Sequence, residues 1–488
     1  MKRKKPAPQN RPHTTLQPPT SNVHPPTSNV QPPTLLTLSG IAHGGEAIGR
    51  HAGKTVFVPY AIPGERVTVE LVQEKAHWAR ARLLTIEAPS PDRVTPPCPY
   101  FGPEACGGCQ WQHIAYARQL ALKRDIVRDQ LQRLGHIADP PVEEVWAVAL
   151  EDQPDPAWQY RNHIQFGVTA DGLPGLQRAN SHDLVAVAEC RLAAPPLDEV
   201  HAALWSGLTT AEDAEPDADA TAAPTYKGKL WVLGEAPRAP ERTTTAAAAP
   251  PRDRVTRLAI RAGLRTGDTL LALETDGDAP ALSLDLPISV ARLYADGTAE
   301  ALVGQACLAE EIAGLRYRIS AGSFFQVNSA GAEALVDRVV AFLDPQPGQR
   351  LLDAYAGVGL FALALAPLVE QVDAIEASPS ACADFAWNAR AQPNVTLHTG
   401  ATEAVLATLH GPFDGIVVDP PRRGLEDGVV QALARLAPPR LVYVSCDPAT
   451  LARDAARLRA AGFVLRTVQP IDLFPQTYHV ECVSLWER

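Results

Sequence analysis

The chain has 488 residues, 46% of them hydrophobic, which is enough for two to four domains with buried cores. No apolar run reaches the roughly 18–20 residues that cross a bilayer. Polar residues follow the basic Met1–Lys5 start, where a signal peptide needs an apolar stretch, so a cytoplasmic protein without a membrane partner is expected. A net charge of −11 argues against a uniformly basic nucleic-acid binder, but much of the acid is local, at Glu212, Asp213, Glu215, Asp217 and Asp219.

Residues 1–34 hold an imperfect duplication, Pro-Pro-Thr-Ser-Asn-Val at 18–23 and again at 25–30, which cannot bury a core and predicts a disordered Pro-rich tail. Residues 35–92 read as a small OB-like β-barrel. Thr55–Tyr60, Arg66–Val72 and Arg80–Ile86 have strand character, and Gly44-Gly45 and Pro63-Gly64 mark turns. Such barrels often bind single-stranded nucleic acid, and Lys54, Lys75, His77, Arg80 and Arg82 give this one a basic tilt. Residues 93–325 form a central, mostly β domain. It opens with a helix over 112–135 that carries Arg118, Lys123, Arg124, Arg128 and Arg133 beside an apolar stripe of Leu120, Ile126, Val127 and Leu131. An Ala/Thr/Pro/Asp-rich stretch near 205–255 reads as a flexible insertion. From 326 to 488, strands near 350–355, 372–376, 395–398, 415–419, 441–445, 464–468 and 480–486 alternate with helices. That spacing predicts a mainly parallel, Rossmann-like sheet with ligands at the strands' C-terminal ends.

Three motifs fall at such ends, and a fourth enters a strand. Asp353-Ala-Tyr-Ala-Gly357-Val-Gly359 follows a strand, and Glu376 closes the next one, where a ribose diol would be bound. Position 362 is Ala, so the dinucleotide pattern is incomplete and S-adenosylmethionine fits better than NAD. Asp419-Pro-Pro-Arg422 makes a rigid turn that aims Asp419 at the pocket. An aromatic residue in place of Arg422 would suit methylation of a base amino group, so Arg422 disfavours that reaction. Cys446 ends a strand and is a candidate nucleophile, although most strand-end cysteines are inert. His479 and Glu481, two residues apart, are candidate bases. Cys98, Cys106, Cys109 and Cys190 form a metal-type set in which zinc and iron–sulfur cannot be separated by spacing.

Together with Ser323-Phe-Phe-Gln326-Val-Asn328 and Phe474-Pro-Gln-Thr-Tyr-His-Val-Glu481, these motifs resemble the RNA 5-methyluridine methyltransferases of the TrmA/RumA type. The resemblance implies methylation of uridine C5 in RNA, with Cys446 as nucleophile and Glu481 as base. It implies Gln326, Tyr355, Glu376 and Asp419 as S-adenosylmethionine-site residues. It also implies a [4Fe–4S] cluster, ahead of zinc, on Cys98, Cys106, Cys109 and Cys190, and a TRAM-like RNA-binding barrel at 35–92. The barrel and the four cysteines resemble the ribosomal-RNA members more than the transfer-RNA ones, so 23S ribosomal RNA is the expected substrate, of an expected monomer. Transfer RNA, or a non-catalytic RNA-binding role, are the alternatives. Several relatives carry Asn where this chain has Leu360.

Overall fold

The computed structural model describes residues 32–153, 155–209, 231–233, 254–277, 281–283 and 285–488. The tail expected at 1–34 and most of the insertion expected near 205–255 lie outside them.

The first body is a closed five-stranded barrel in the order Thr34–Ile41, Ala47–His51, Lys54–Val58, Trp78–Ala88, Arg66–Glu74. Alternation supplies its core. Leu36, Leu38, Val56, Val58, Val67 and Val69 point inward while their neighbours face out. Its basic tilt is smaller than the sequence predicts, because Lys54, Arg80 and Arg82 pair with the barrel's own Glu74, Glu46 and Glu70.

The central segment builds a seven-stranded sheet in the order Ala299–Val303, Ser289–Leu293, Thr269–Asp276, Arg254–Ala262, His163–Val168, Pro174–Gln177, Leu184–Ala186. Two further elements belong to this segment. A helix spans Pro195–Thr209, and Trp231–Leu233, inside the expected insertion, pairs antiparallel with Ala281–Ser283.

The C-terminal body is an eight-stranded sheet ordered Val395–Thr399, Gln371–Glu376, Arg350–Ala354, Gly415–Val418, Arg440–Ser445, Glu481–Glu487, Val464–Asp472, Trp146–Ala147. The first five strands are parallel, and Glu481–Glu487 runs antiparallel to both of its neighbours. Helices cover both faces, as a parallel sheet requires. The predicted helix at 112–135 is observed at Tyr116–Arg133 and belongs to this body rather than to the central sheet: its Val127 and Leu131 join the core made by Leu352, Ile416, Leu441 and Leu451. Three of its four arginines are paired, Arg118, Arg124 and Arg133 with Asp92, Glu144 and Asp129. Among the described residues no helix is long and apolar enough to cross a membrane.

Candidate active site

Strand direction places the site. Ala354, Glu376, Val418 and Ser445 end parallel neighbours, so the residues that follow them gather at one edge of the sheet. The antiparallel strand starts at that same edge with Glu481. Ser445 is registered against Cys482, which puts Cys446 and Glu481 next outward on adjacent strands. Asp419 and Arg422 arrive from the neighbouring turn.

The electrostatics of this corner are dominated by burial. Burial pushes the Cys446 thiol up to about 12; the Glu481 and Asp419 charges add to this and Arg422 opposes it. Glu481 is buried and its carboxyl is raised by burial and then by Asp419, with Arg422 again opposing. Asp419 is itself pushed up to about 7 by burial. Two neighbouring carboxyls that both resist ionisation can hold a proton between them. His479 is the weaker candidate base. Burial, followed by the Arg422, Lys123 and Arg161 charges, lowers it to about 4, and it lies just before the strand that Glu481 begins.

The loop after Arg350–Ala354 is shaped for close approach of a ligand. Tyr355 takes φ 71°, and Gly357 and Gly359 take φ 56° and 102°. A bulky residue in the left-handed region is strain held by its surroundings, as is common at functional sites. A Cβ on Gly357 would meet nothing within 4 Å. Glu376 caps this cradle: its Oε2 accepts from Gly357 N at 2.8 Å, and its Oε1 accepts from Ala377 N and Ser378 N, both at 2.7 Å. Asp353, which opens the motif but was given no role of its own, is fully buried beneath the loop. Its Oδ2 accepts from Ala362 N at 2.9 Å and its Oδ1 has no hydrogen-bond partner. These features fit a nucleoside-bearing cofactor. Gln326 is buried, and its carbonyl oxygen accepts from Asn162 Nδ2 at 3.1 Å. Leu360 is buried as the first residue of the helix Leu360–Leu365, so it packs into the core.

The loop leading to Glu481 is gripped from below by the helix Tyr116–Arg133. Gln476 sits at φ 67°. Its backbone N and side-chain oxygen bond the amide of Gln119, each at 3.0 Å, and its carbonyl accepts from Gln110 N and Trp111 N. Sequence reasoning missed Gln119; a buried-face glutamine on an apolar stripe was the available signal.

A cleft of about 1530 Å³ opens beside this corner, lined by barrel, central and catalytic residues including His43, Arg80, Arg257, Phe324, Arg422 and His479. Phe324 is 70% exposed there, whereas its neighbour Phe325 is buried. Cys98, Cys106, Cys109 and Cys190 share one wall of the same cleft. Burial raises the thiols of Cys106, Cys109 and Cys190, with Cys109 reaching about 12, and these cysteines feel one another's charge. The expected metal site does not appear as a closed one: among the described residues no three His, Cys, Asp or Glu side chains converge as ligands of an ion.

Residues 305–488 match the family model described as tRNA (Uracil-5-)-methyltransferase, and residues 34–84 match the TRAM domain. A Streptomyces avermitilis protein named an uncharacterized RNA methyltransferase is 36% identical over 465 residues, covering 92% of this chain and 96% of its own. A Thermosynechococcus vestitus protein of the same description is 33% identical, covering 92% and 97%. The solved structure of the Pyrococcus abyssi tRNA (uracil-54, C5)-methyltransferase, in complex with S-adenosyl-L-homocysteine, matches with a TM-score of 0.67 at 23% identity, over 93% of this chain and all of that one. With its TRAM barrel, its uracil-5-methyltransferase domain and close relatives along nearly its whole length, the chain belongs to the S-adenosylmethionine-dependent RNA uracil-5-methyltransferases of the TrmA/RumA type.

Proposed function

We propose that the chain methylates C5 of a uridine in a structured RNA by covalent catalysis, with Cys446 as nucleophile and Glu481 as base. The observation that carries this reading is the register pair Ser445–Cys482, which sets Cys446 and Glu481 side by side with Asp419 at the cofactor edge. The Cys446 thiol gives up its proton to solvent and adds as thiolate to C6 of the uracil, and the C5–C6 π electrons move onto C5 and O4. S-adenosylmethionine supplies an electrophilic methyl group on a sulfonium. C5 takes that methyl as the sulfonium sulfur departs with the bonding pair. Glu481 removes the C5 proton, the C5–C6 double bond re-forms, and Cys446 leaves as thiolate. Gln326, Tyr355, Glu376 and Asp419 would hold the cofactor, Glu376 through its ribose diol.

Cys98, Cys106, Cys109 and Cys190 would hold the iron–sulfur cluster. A zinc ion with Zn–S of 2.3 Å draws its sulfurs to about 3.8 Å apart. Four cysteine thiolates are also the usual ligand set of an iron–sulfur cluster, and Cys98, Cys106, Cys109 and Cys190 line the same cleft. Its positive charge would favour the thiolates that burial disfavours. Its role is structural, tying the knuckle at 98–109 to Cys190, and iron and acid-labile sulfide analysis checks it.

For the substrate, 23S ribosomal RNA is the first target to test. Transfer RNA is the second reading, favoured by the Pyrococcus protein, whose likeness extends over the barrel as well. The test is mass spectrometry of RNA lacking the modification after incubation with methyl-labelled S-adenosylmethionine. Labelled 5-methyluridine that disappears with Cys446→Ala, while RNA binding persists, is the expected result. Label retained by Cys446→Ala sinks the covalent reading.

A further inference from the structure

The turn at residues 42–46, between the first two barrel strands, reaches into the catalytic corner. His43 Nε2 lies 3.2 Å from Asp447 Oδ2, with both side chains about 30% exposed. Asp447 immediately follows Cys446. It is also the N-cap of the helix Pro448–Ala460, where its Oδ1 accepts from Thr450 N at 2.7 Å. One carboxylate therefore caps the helix with one oxygen and meets the barrel with the other. Burial would raise this carboxyl, yet the hydrogen bonds from His43 and Thr450 prevail and hold it low, at about 2.

The connection involved is very short. The strand ends at Ser445 and the helix starts at Pro448, so Cys446 and Asp447 are the whole link. Fixing Asp447 fixes the backbone that presents the thiol. On the other flank the His43 ring meets Tyr478 edge-on at 6.5 Å, and Tyr478 lies against His479 at 4.3 Å. Trp111 Nε1 donates to Gly45 O at 3.0 Å. One barrel turn thus lies between the loop that carries Cys446 and the loop that leads to Glu481.

We propose that His43 is a positioning residue for methyl transfer: through Asp447 it holds the Cys446 loop in its reactive place, so that addition to C6 runs at full rate only with the barrel docked. This rests on Cys446 being the nucleophile, as proposed above. A misplacement of about 1 Å can cost on the order of a hundredfold in rate, so a contact one residue from the thiol has ample leverage.

The test uses the full chain and in vitro transcripts of ribosomal and transfer RNA made with 5-fluorouridine in place of uridine. With fluorine on C5 there is no proton for Glu481 to take, so the bond from Cys446 to C6 persists after methyl transfer and the adduct can be counted on a denaturing gel. His43→Ala should slow adduct formation at saturating RNA by about tenfold or more, with RNA affinity in a Cys446→Ser background changed by less than about twofold. His43→Gln, which keeps a donor near the Nε2 position, should recover most of the rate. In an Asp447→Ala background, His43→Ala should add no further loss. An unchanged adduct rate in His43→Ala overturns the proposal. So does weaker RNA affinity with an unchanged saturated rate, which would make His43 an RNA contact. An adduct that survives Cys446→Ser would overturn the nucleophile assignment, and the positioning role with it.

Discussion

Lys123 and Asp472 meet at 2.5 Å with neither side chain exposed to solvent. Lys123 also donates to Phe474 O at 3.0 Å, so one ammonium pins the start of the loop that ends at Glu481. Burial alone would drive this lysine toward its neutral form, and Asp472 is the counter-charge that opposes it. Removing one partner leaves the other buried and uncompensated. Lys123→Met should destabilise the fold by about 3–5 kcal/mol, and adding Asp472→Asn should recover a large part. Denaturant unfolding checks this; equal losses for single and double variants would show that the two groups are not coupled.

The half-buried Cys446 thiol, raised to about 12, should be mostly protonated in the free enzyme at neutral pH. Its alkylation by iodoacetamide, followed by mass spectrometry of the peptide, should rise about tenfold per pH unit between 7 and 9. At pH 9, Glu481→Gln should speed this alkylation, although it abolishes methylation, because it removes the largest opposing charge. Arg422→Gln should slow it. A plateau below pH 9 would contradict the assignment of a high thiol pKa.

Asp353 should make stability depend on pH. Burial raises its carboxyl to about 8; the Ala362 N–H opposes this, and the Asp419 and Glu376 charges add to it. The folded state then binds a proton that the unfolded state, titrating near 3.9, has released, so stability falls as pH climbs from about 4 to about 8 and is level above that. Asp353→Asn should flatten this slope in thermal or denaturant unfolding. A slope unchanged across that window would mean that Asp353 is ionised in the folded protein.

Gly45 should tolerate no side chain. It sits at φ 86°, and a Cβ there would lie 2.9 Å from both Trp111 Nε1 and Tyr478 Cβ. Gly45→Ala should cost about 1–3 kcal/mol through the collision and expose the seam between barrel and catalytic body to proteases. Gly44→Ala, at φ 112° but with nothing within 4 Å, separates backbone strain from the collision. Limited proteolysis with thermal unfolding reads both; equal behaviour of the two variants would rule out a tight seam.

The candidate site was largely legible in the sequence because parallel strands deliver their C-terminal residues to one edge. The motifs at Asp353, Glu376, Asp419 and Cys446 therefore belong together once the strand–helix alternation is seen. Glu481 reached the same edge by a different route, on an antiparallel strand that the even spacing did not distinguish. What stayed hidden is long-range. His43 and Asp447 are some four hundred positions apart, and no local periodicity connects a barrel turn to a helix cap. Lys123 read as one more basic residue beside the apolar stripe, yet it points inward with Leu122, Ile126 and Val127 to a carboxylate on another element. Trp146–Ala147, two residues long, is too short to show an alternation.

That short strand has a consequence for portability. Trp146–Ala147 pairs in parallel with Ile471 and Asp472 and forms the last strand of the eight-stranded sheet. A fragment cut at residue 326 would keep every motif residue proposed for catalysis and cofactor binding. It would nevertheless bare a hydrogen-bonding edge beside the strand that leads to Glu481, and open the core that Val127 and Leu131 complete. The catalytic half is therefore not a transplantable cassette: moving this activity onto another RNA-recognition module means carrying residues 116–147 and the barrel turn at 42–46 along with it.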